Sequence, residues 1–237
     1  MPLPWKLTRF AGCFGPPISE WCIARIISHE RGFNASEKDK ANKCWAESKD
    51  EILNYRYLSS LTLTILGCGD IGCCIAKAAK AFGMKIIGYG KSCEPSDRVK
   101  EVVDEYTTNL EVALSSADYI VSVLPSTPNT REMLNGETFS AANGAVFLNV
   151  GRGDVVSEAS LINALDNGYL CSAILDVFAV EPLPEDSKLW SRDDVVISPH
   201  VSGLTQASDV PKLFLENYKR WLAGKELKFV VDWMKGY

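Results

Sequence analysis

The 237-residue chain has only two histidines, His29 and His200, and no excess of positive charge. No stretch approaches the roughly 20 apolar residues of a membrane span, so no transmembrane helix is expected. Lys plus Arg number 25 against 30 Asp plus Glu, a net charge of −5. A mildly acidic chain is a poor general binder of nucleic acid or anionic membrane, and neither is expected as a partner. The eight cysteines (13, 22, 44, 68, 73, 74, 93 and 171) are scattered and form no C-x-x-C pair. That spacing suggests neither a zinc site nor a small disulfide framework. Buried, reduced thiols and a cytoplasmic location are the expectation. Met1-Pro2-Leu3-Pro4-Trp5-Lys6 is not followed by a secretory signal, and Lys235-Gly236-Tyr237 carries no lipidation or retention motif. There is no internal repeat or low-complexity tract.

The chain does have ample apolar residues, 46%, with 23% charged. That balance excludes disorder over most of the length. Short apolar runs at Leu61–Leu66, Met84–Tyr89, Tyr119–Leu124, Ala145–Val150, Ala173–Val177 and Val195–Ser198 predict strands. Helical patterns lie between several of them, at Ile75–Phe82 and at Ser157–Asp166, where Ser157 suits a helix cap. Buried strands alternating with helices predict an α/β fold, a doubly wound parallel sheet of the Rossmann type. We assign residues 60–203 to this domain. Residues 18–59 read as a helix start at Ile18–Ile27 followed by a polar loop or extended arm over Glu30–Glu51. Val210–Leu222, in the 204–237 segment, has helical apolar spacing and stops at Gly224.

Gly67-Cys68-Gly69-Asp70-Ile71-Gly72 follows the first strand and opens a helix. In that context G-x-G-x-x-G suits a dinucleotide. Gly67 allows the turn, Gly69 lets a pyrophosphate approach the backbone, and Gly72 lets helix and strand pack closely. The helix N-terminus offers free N–H groups to phosphate. A turn that needs glycine for geometry alone is the alternative. The tip of the second strand, Tyr89-Gly90-Lys91-Ser92, carries no carboxylate to hold a ribose 2′-hydroxyl. Gly90 leaves space, and Lys91 and Ser92 suit a 2′-phosphate, so NADP is favoured over NAD. Against this, Lys91 is a solvated lysine and Glu94 supplies the acid.

Arg152, Glu181 and His200 follow three later strands and are therefore expected at the carboxyl edge of the sheet, where ligands bind. A guanidinium can grip a carboxylate bidentately. An imidazole can donate a proton to a carbonyl oxygen, and a carboxylate can hold that imidazole and favour its charged form. Together they suit reduction of a carbonyl beside an acid. Each has a plainer reading: Arg152 pairing with Asp154, Glu181 as a loop acid, His200 as a structural histidine. His29 reads as a surface residue.

With LGCGDIG, AFGMKIIGYGKS, LPSTPNTREMLN, FLNVGRGDVV, LDVFAVEPLP and SPHVSG in hand, the chain resembles the D-isomer-specific 2-hydroxyacid dehydrogenases, most of all the glyoxylate/hydroxypyruvate reductase A-like branch. The likeness runs from about Leu7 to Tyr237. It maps the family's Arg–Glu–His set onto Arg152, Glu181 and His200, at fitting separations of 29 and 19 residues. It further implies Asp70 and Ile71 beside the pyrophosphate, Pro125 at the adenine and Asp176 facing the nicotinamide amide. It implies a homodimer formed through Ile18–Glu51. Family members have a second lobe built from both chain ends. The match begins near Leu7-Thr8-Arg9-Phe10, which resembles the end of that lobe, and residues 1–17 read as its remnant. Most of the lobe is therefore expected to be missing, with part of the apolar face of Val210–Leu222 exposed. The expected activity is NAD(P)H-dependent reduction of a small 2-oxo acid such as glyoxylate or hydroxypyruvate, impaired by the missing lobe. The alternative is a non-catalytic cofactor-binding or interaction protein.

Overall fold

The structure, a computed structural model, describes residues 5–233. The terminal motifs at Met1–Pro4 and Lys235–Tyr237 lie outside the described residues. Seven strands form one parallel sheet in the order β3-β2-β1-β4-β5-β6-β7. They are β1 Thr62–Leu66, β2 Lys85–Tyr89, β3 Glu105–Thr107, β4 Tyr119–Ser122, β5 Ala145–Asn149, β6 Leu170–Leu175 and β7 Val195–Ile197. The order reverses between β1 and β4, which places a crevice at their carboxyl ends.

Alternation along the strands builds two cores, one on each face. Phe147 of β5 joins Leu114, Phe139, Leu161 and Leu165 on one side. Its neighbours Val146 and Leu148 join Ile18, Cys22, Ile26, Ile75 and Ala79 on the other. Successive strand side chains point to opposite faces, and both faces are covered by helices, so the strands read as continuous apolar runs. Burying a side chain such as Phe147 or Ile26 stabilises by roughly 2–3 kcal/mol.

On the second face, α1 (Gly15–Glu30) packs against α4 (Asp70–Ala81). Gly15 lies so close to Cys74 that an added Cβ would sit 2.4 Å from its Sγ. The other face carries α6 (Leu110–Ser115) and α7 (Glu158–Asp166). The Ser157 side chain accepts from the Ser160 N–H, as its capping position predicts. Segments near the two ends of the described chain meet. Thr8 and Val230 form an antiparallel bridge, and the Arg9 N–H donates to the Phe229 carbonyl at 2.9 Å.

Several expectations need correction. The Glu30–Glu51 segment is not an extended loop, because α2 (Phe33–Ala41) and α3 (Lys49–Leu53) run through it. Ala35 is the one apolar residue of α2 that is buried. The turn beyond α2 is tied back by Asp39, which accepts from the Ser48 N–H at 3.0 Å and the Ser48 hydroxyl at 2.7 Å. These polar ties give no apolar period to read. Strand β3 is short and charged at the sheet edge, and the apolar pattern does not reveal it. The cysteines are not uniformly buried: Cys44, Cys93 and Cys171 are exposed, and of the eight only Cys22 and Cys73 are buried. His29 is exposed, as expected, yet its Nδ1 lies 2.8 Å from the Tyr119 hydroxyl. The expected apolar exposure of α8 (Asp209–Leu222) is present, with Phe214, Tyr218 and Trp221 all largely exposed.

A polar cluster ties α1 to the amino edge of the sheet. Glu30 is buried and accepts from the Tyr119 hydroxyl at 2.7 Å and from Arg56 Nη2 at 2.5 Å. Arg56 also donates to Asp118, whose other oxygen accepts from the Thr62 N–H. Burial alone would push the Glu30 carboxyl up, but the bonds from Arg56 and Tyr119 outweigh it and hold its pKa below the usual carboxylate range. A depressed carboxyl adds stability above its unfolded pKa, and that contribution disappears as pH falls through the folded value. Glu30→Gln is therefore expected to cost about 1–3 kcal/mol at neutral pH. The variant's loss of stability in acid should also be shallower than that of the parent. Urea unfolding across a pH series checks both, and parallel acid profiles would contradict the assignment.

Candidate active site

Gly67 takes φ +103°, a left-handed backbone conformation that glycine adopts without strain. The first turn of α4 then returns so closely that a Cβ on Gly72 would lie 2.2 Å from the Gly67 carbonyl oxygen. Gly69 is exposed and a Cβ there would meet nothing within 4 Å. The glycines thus serve different ends: two shape the elbow, and the middle one leaves open backbone at a helix N-terminus. A pyrophosphate fits that cradle. Asp70, the first residue of α4, pairs with Arg98 of α5 (Asp97–Val102) at 2.6 Å, and Ile71 is half-buried beside it.

At the tip of β2, Lys91 and Ser92 are exposed. The Ser92 hydroxyl donates to the Glu94 carbonyl at 3.0 Å, folding the tip into a tight turn. The expected space at Gly90 is taken, because a Cβ there would lie 2.2 Å from the Tyr106 hydroxyl of β3. Gly90 makes room for a neighbouring side chain rather than for a ligand. Beyond β4, Pro125 is half-buried and its carbonyl accepts from the Thr130 hydroxyl at 2.5 Å.

The structure sets Arg152, Glu181 and His200 in the loops after the neighbouring strands β5, β6 and β7. His200 Nδ1 lies 2.8 Å from Glu181 Oε2. The second Glu181 oxygen accepts from the Phe178 N–H at 2.9 Å. Desolvation pushes the Glu181 carboxyl up, but the bonds from His200 and the Phe178 amide bring its pKa below the usual range. It therefore stays ionised opposite the imidazole. With Nδ1 engaged, Nε2 is the ring nitrogen left for a substrate. Arg152 is exposed, and its Nη1 donates to the Gly151 carbonyl at 2.7 Å. It does not pair with Asp154, which instead accepts from Ser126 and Arg131. Asn149 shapes this loop, bonding the Gly151 N–H and the Arg152 carbonyl.

Asp176 directly follows β6. It is 0% exposed, and its oxygens accept from the Ser198 hydroxyl at 2.5 Å, the Val201 N–H at 2.9 Å and the Ser202 N–H at 2.8 Å. It clamps the turn that carries His200, whose φ of +55° is strained for a non-glycine residue. Burial opposes the charge, but these bonds prevail and keep the Asp176 pKa low. Sequence reasoning missed this positioning role, although hydroxyls flanking a histidine in Ser198-Pro199-His200-Val201-Ser202 were a usable signal. It also missed Asn149 and Arg98, for which the sequence offered none. A cavity of about 470 Å³ lies at the opposite, amino edge beside Lys80, Lys85 and Asp104, away from all of these groups.

Comparison with known proteins identifies the family. Residues 23–202 match the family model "D-isomer specific 2-hydroxyacid dehydrogenase, NAD binding domain". The chain belongs to that family. It is 28% identical to glyoxylate/hydroxypyruvate reductase A of Yersinia enterocolitica over 93% of this chain and 68% of the relative. The NADPH-dependent glyoxylate/hydroxypyruvate reductase of Sinorhizobium meliloti, solved with NADP and sulfate, superposes with a TM-score of 0.85 at 31% identity. That match covers 100% of this chain and 74% of the other. A D-isomer specific 2-hydroxyacid dehydrogenase of Xanthobacter autotrophicus, in complex with NADPH and MES, superposes with a TM-score of 0.86 at 29% identity. Here the match covers 99% of this chain and 95% of the other. The chain spans between 30% and 74% of the length of the first curated relatives it matches.

The contrast between the glycines can be tested. Gly72→Ala should destabilise the fold by about 1–3 kcal/mol, because the new methyl meets backbone that cannot yield. Gly69→Ala should melt like the parent but bind dinucleotide more weakly. Thermal unfolding and a fluorescence titration with NADPH measure the two effects. Equal losses of stability would remove the distinction.

Proposed function

We propose that this chain binds a nicotinamide dinucleotide, NADPH in preference to NADH, and reduces a small 2-oxo acid such as glyoxylate or hydroxypyruvate to the 2-hydroxy acid. The observation that carries this reading is the 2.8 Å contact between His200 and Glu181 on the same sheet edge as the open Gly69 cradle. The backbone of Gly67–Gly72, with Ile71 beside it, holds the pyrophosphate, and Pro125 borders the adenine. When bound, the cofactor supplies hydride to the carbonyl carbon. Every other requirement falls to the chain. His200 delivers a proton from Nε2 to the carbonyl oxygen. Glu181 orients the imidazole through its contact with Nδ1. Arg152 binds the substrate carboxylate through the donors that Gly151 leaves free for it. Asp176 acts at one remove, by holding the His200 turn.

The cofactor preference is supported by the absence of a carboxylate among the residues at the β2 tip and by the exposed Lys91 cation there, with Ser92 beside it. NADP-bound relatives of similar structure point the same way. A homodimer belongs to the same reading, supported by the exposed Phe33 and Trp45 of the 18–59 segment. A second reading, cofactor binding without turnover, is favoured by one observation: α8 presents Phe214, Tyr218 and Trp221 to solvent, the face expected to pack on a second lobe. An active site open to water has weaker electrostatics and poorer positioning.

NADPH oxidation with glyoxylate or hydroxypyruvate separates the two, since binding without oxidation would retire the enzymatic reading for this chain. Given turnover, His200→Asn should lower it by about two orders of magnitude or more. Asparagine tolerates the left-handed backbone at this position, so the fold should persist, and an unchanged rate would exclude His200 as the acid. Lys91→Ala should weaken NADPH about fivefold to tenfold while leaving NADH unchanged. Titration with both cofactors checks the difference.

A further inference from the structure

The Gly-rich elbow carries an acid where an anion is expected. Asp70 opens α4, in the first turn of the helix, and is directly adjacent to the open Gly69. An acidic side chain there suits the helix dipole, but it repels a diphosphate that approaches the same N–H groups. The structure places a cation against it. Arg98, near the start of α5, donates through Nη1 to Asp70 Oδ1 at 2.6 Å and through Nη2 to the Asp70 carbonyl at 3.4 Å. The guanidinium also lies 3.9 Å from Cys74 Sγ. The helix of Arg98 begins a few residues past the β2 tip, and its guanidinium meets the elbow through Asp70.

Stability does not explain this pair. Arg98 and Asp70 side chains are 55% and 40% exposed, and ion pairs so solvated contribute little to folding. Charge balance at the elbow does explain it. We infer that Arg98 is an affinity determinant for the diphosphate part of the dinucleotide, acting by neutralising Asp70 at the mouth of the Gly69 cradle. The inference rests on the proposed dinucleotide site and adds a residue to it. Arg98 positions and neutralises through Asp70, whereas Lys91 answers the 2′-phosphate. Their effects therefore differ between cofactors: loss of Arg98 weakens NADH and NADPH alike, and loss of Lys91 weakens NADPH alone.

The test is a set of fluorescence titrations with NADPH and NADH on the full chain, with thermal melts as a folding control. Arg98→Met should weaken both cofactors about fivefold to tenfold, the scale of one partly screened charge. Asp70→Asn should bind both at least as well as the parent. In the Asp70→Asn, Arg98→Met double variant most of the loss should be recovered, and Arg98→Lys should stay close to the parent. A merely structural role for Arg98 would not be rescued by removing Asp70. Unchanged affinities in Arg98→Met, a loss confined to NADPH, or no recovery in the double variant would each overturn the inference. If the parent chain binds neither cofactor, the proposed function fails with it; if the parent binds and Arg98→Met does not differ, only the role of Arg98 falls.

Discussion

The buried carboxylate of Asp176 is the constraint on which the reactive edge depends. It sits at the end of β6 and takes its bonds from Ser198, Val201 and Ser202, which flank the end of β7. Charge-assisted bonds of this kind stabilise by about 1.5–3 kcal/mol each, enough to hold one residue in a left-handed conformation. His200 is that residue. Its imidazole consequently meets Glu181, whose loop leaves the same strand as Asp176. A second tie reinforces the arrangement, since the His200 N–H donates to the Asp176 carbonyl at 2.8 Å.

The sheet connects this corner to the glycine elbow. Parallel strands bring all their carboxyl ends to one edge, and the reversal between β1 and β4 opens the crevice there. Gly69 and the later residues Arg152, Glu181 and His200, more than eighty positions away in the chain, so come to share an edge. The polar cluster of Glu30, Arg56, Asp118 and Tyr119 does comparable work at the opposite edge, fixing α1 to the sheet. Chemistry and anchoring are thus divided between the two ends of the same strands. The aromatic face of α8 is exposed and shares in neither set of bonds.

Charge is arranged differently at the two edges. At the amino edge Glu30, Arg56 and Asp118 are bonded into a partly buried cluster, where removing one partner leaves the others poorly satisfied. At the carboxyl edge the guanidinium groups of Arg98 and Arg152, the lysine at position 91 and the imidazole of His200 are exposed. Of these, Arg98 is paired with Asp70 and His200 with Glu181, whereas Lys91 and Arg152 carry no ion pair among the described residues and are exposed to the anionic ligands proposed.

Six of the seven strands, their parallel arrangement and the glycine elbow were legible from residue order alone. Their signals are local: apolar runs of strand length, and glycines spaced as a tight turn and a close helix require. The candidate trio was legible for the same reason, because each member follows a strand that the apolar pattern already marks. What the tertiary structure alone decided were the roles set by contact across the chain. Asp176 proved to be an enclosed clamp, Gly90 a clearance for Tyr106, Arg98 the partner of Asp70, and the polar 30–51 segment two short helices tied by Asp39 and Ser48. Such roles come from pairings between distant residues, and no periodicity along the chain encodes which carboxylate meets which amide.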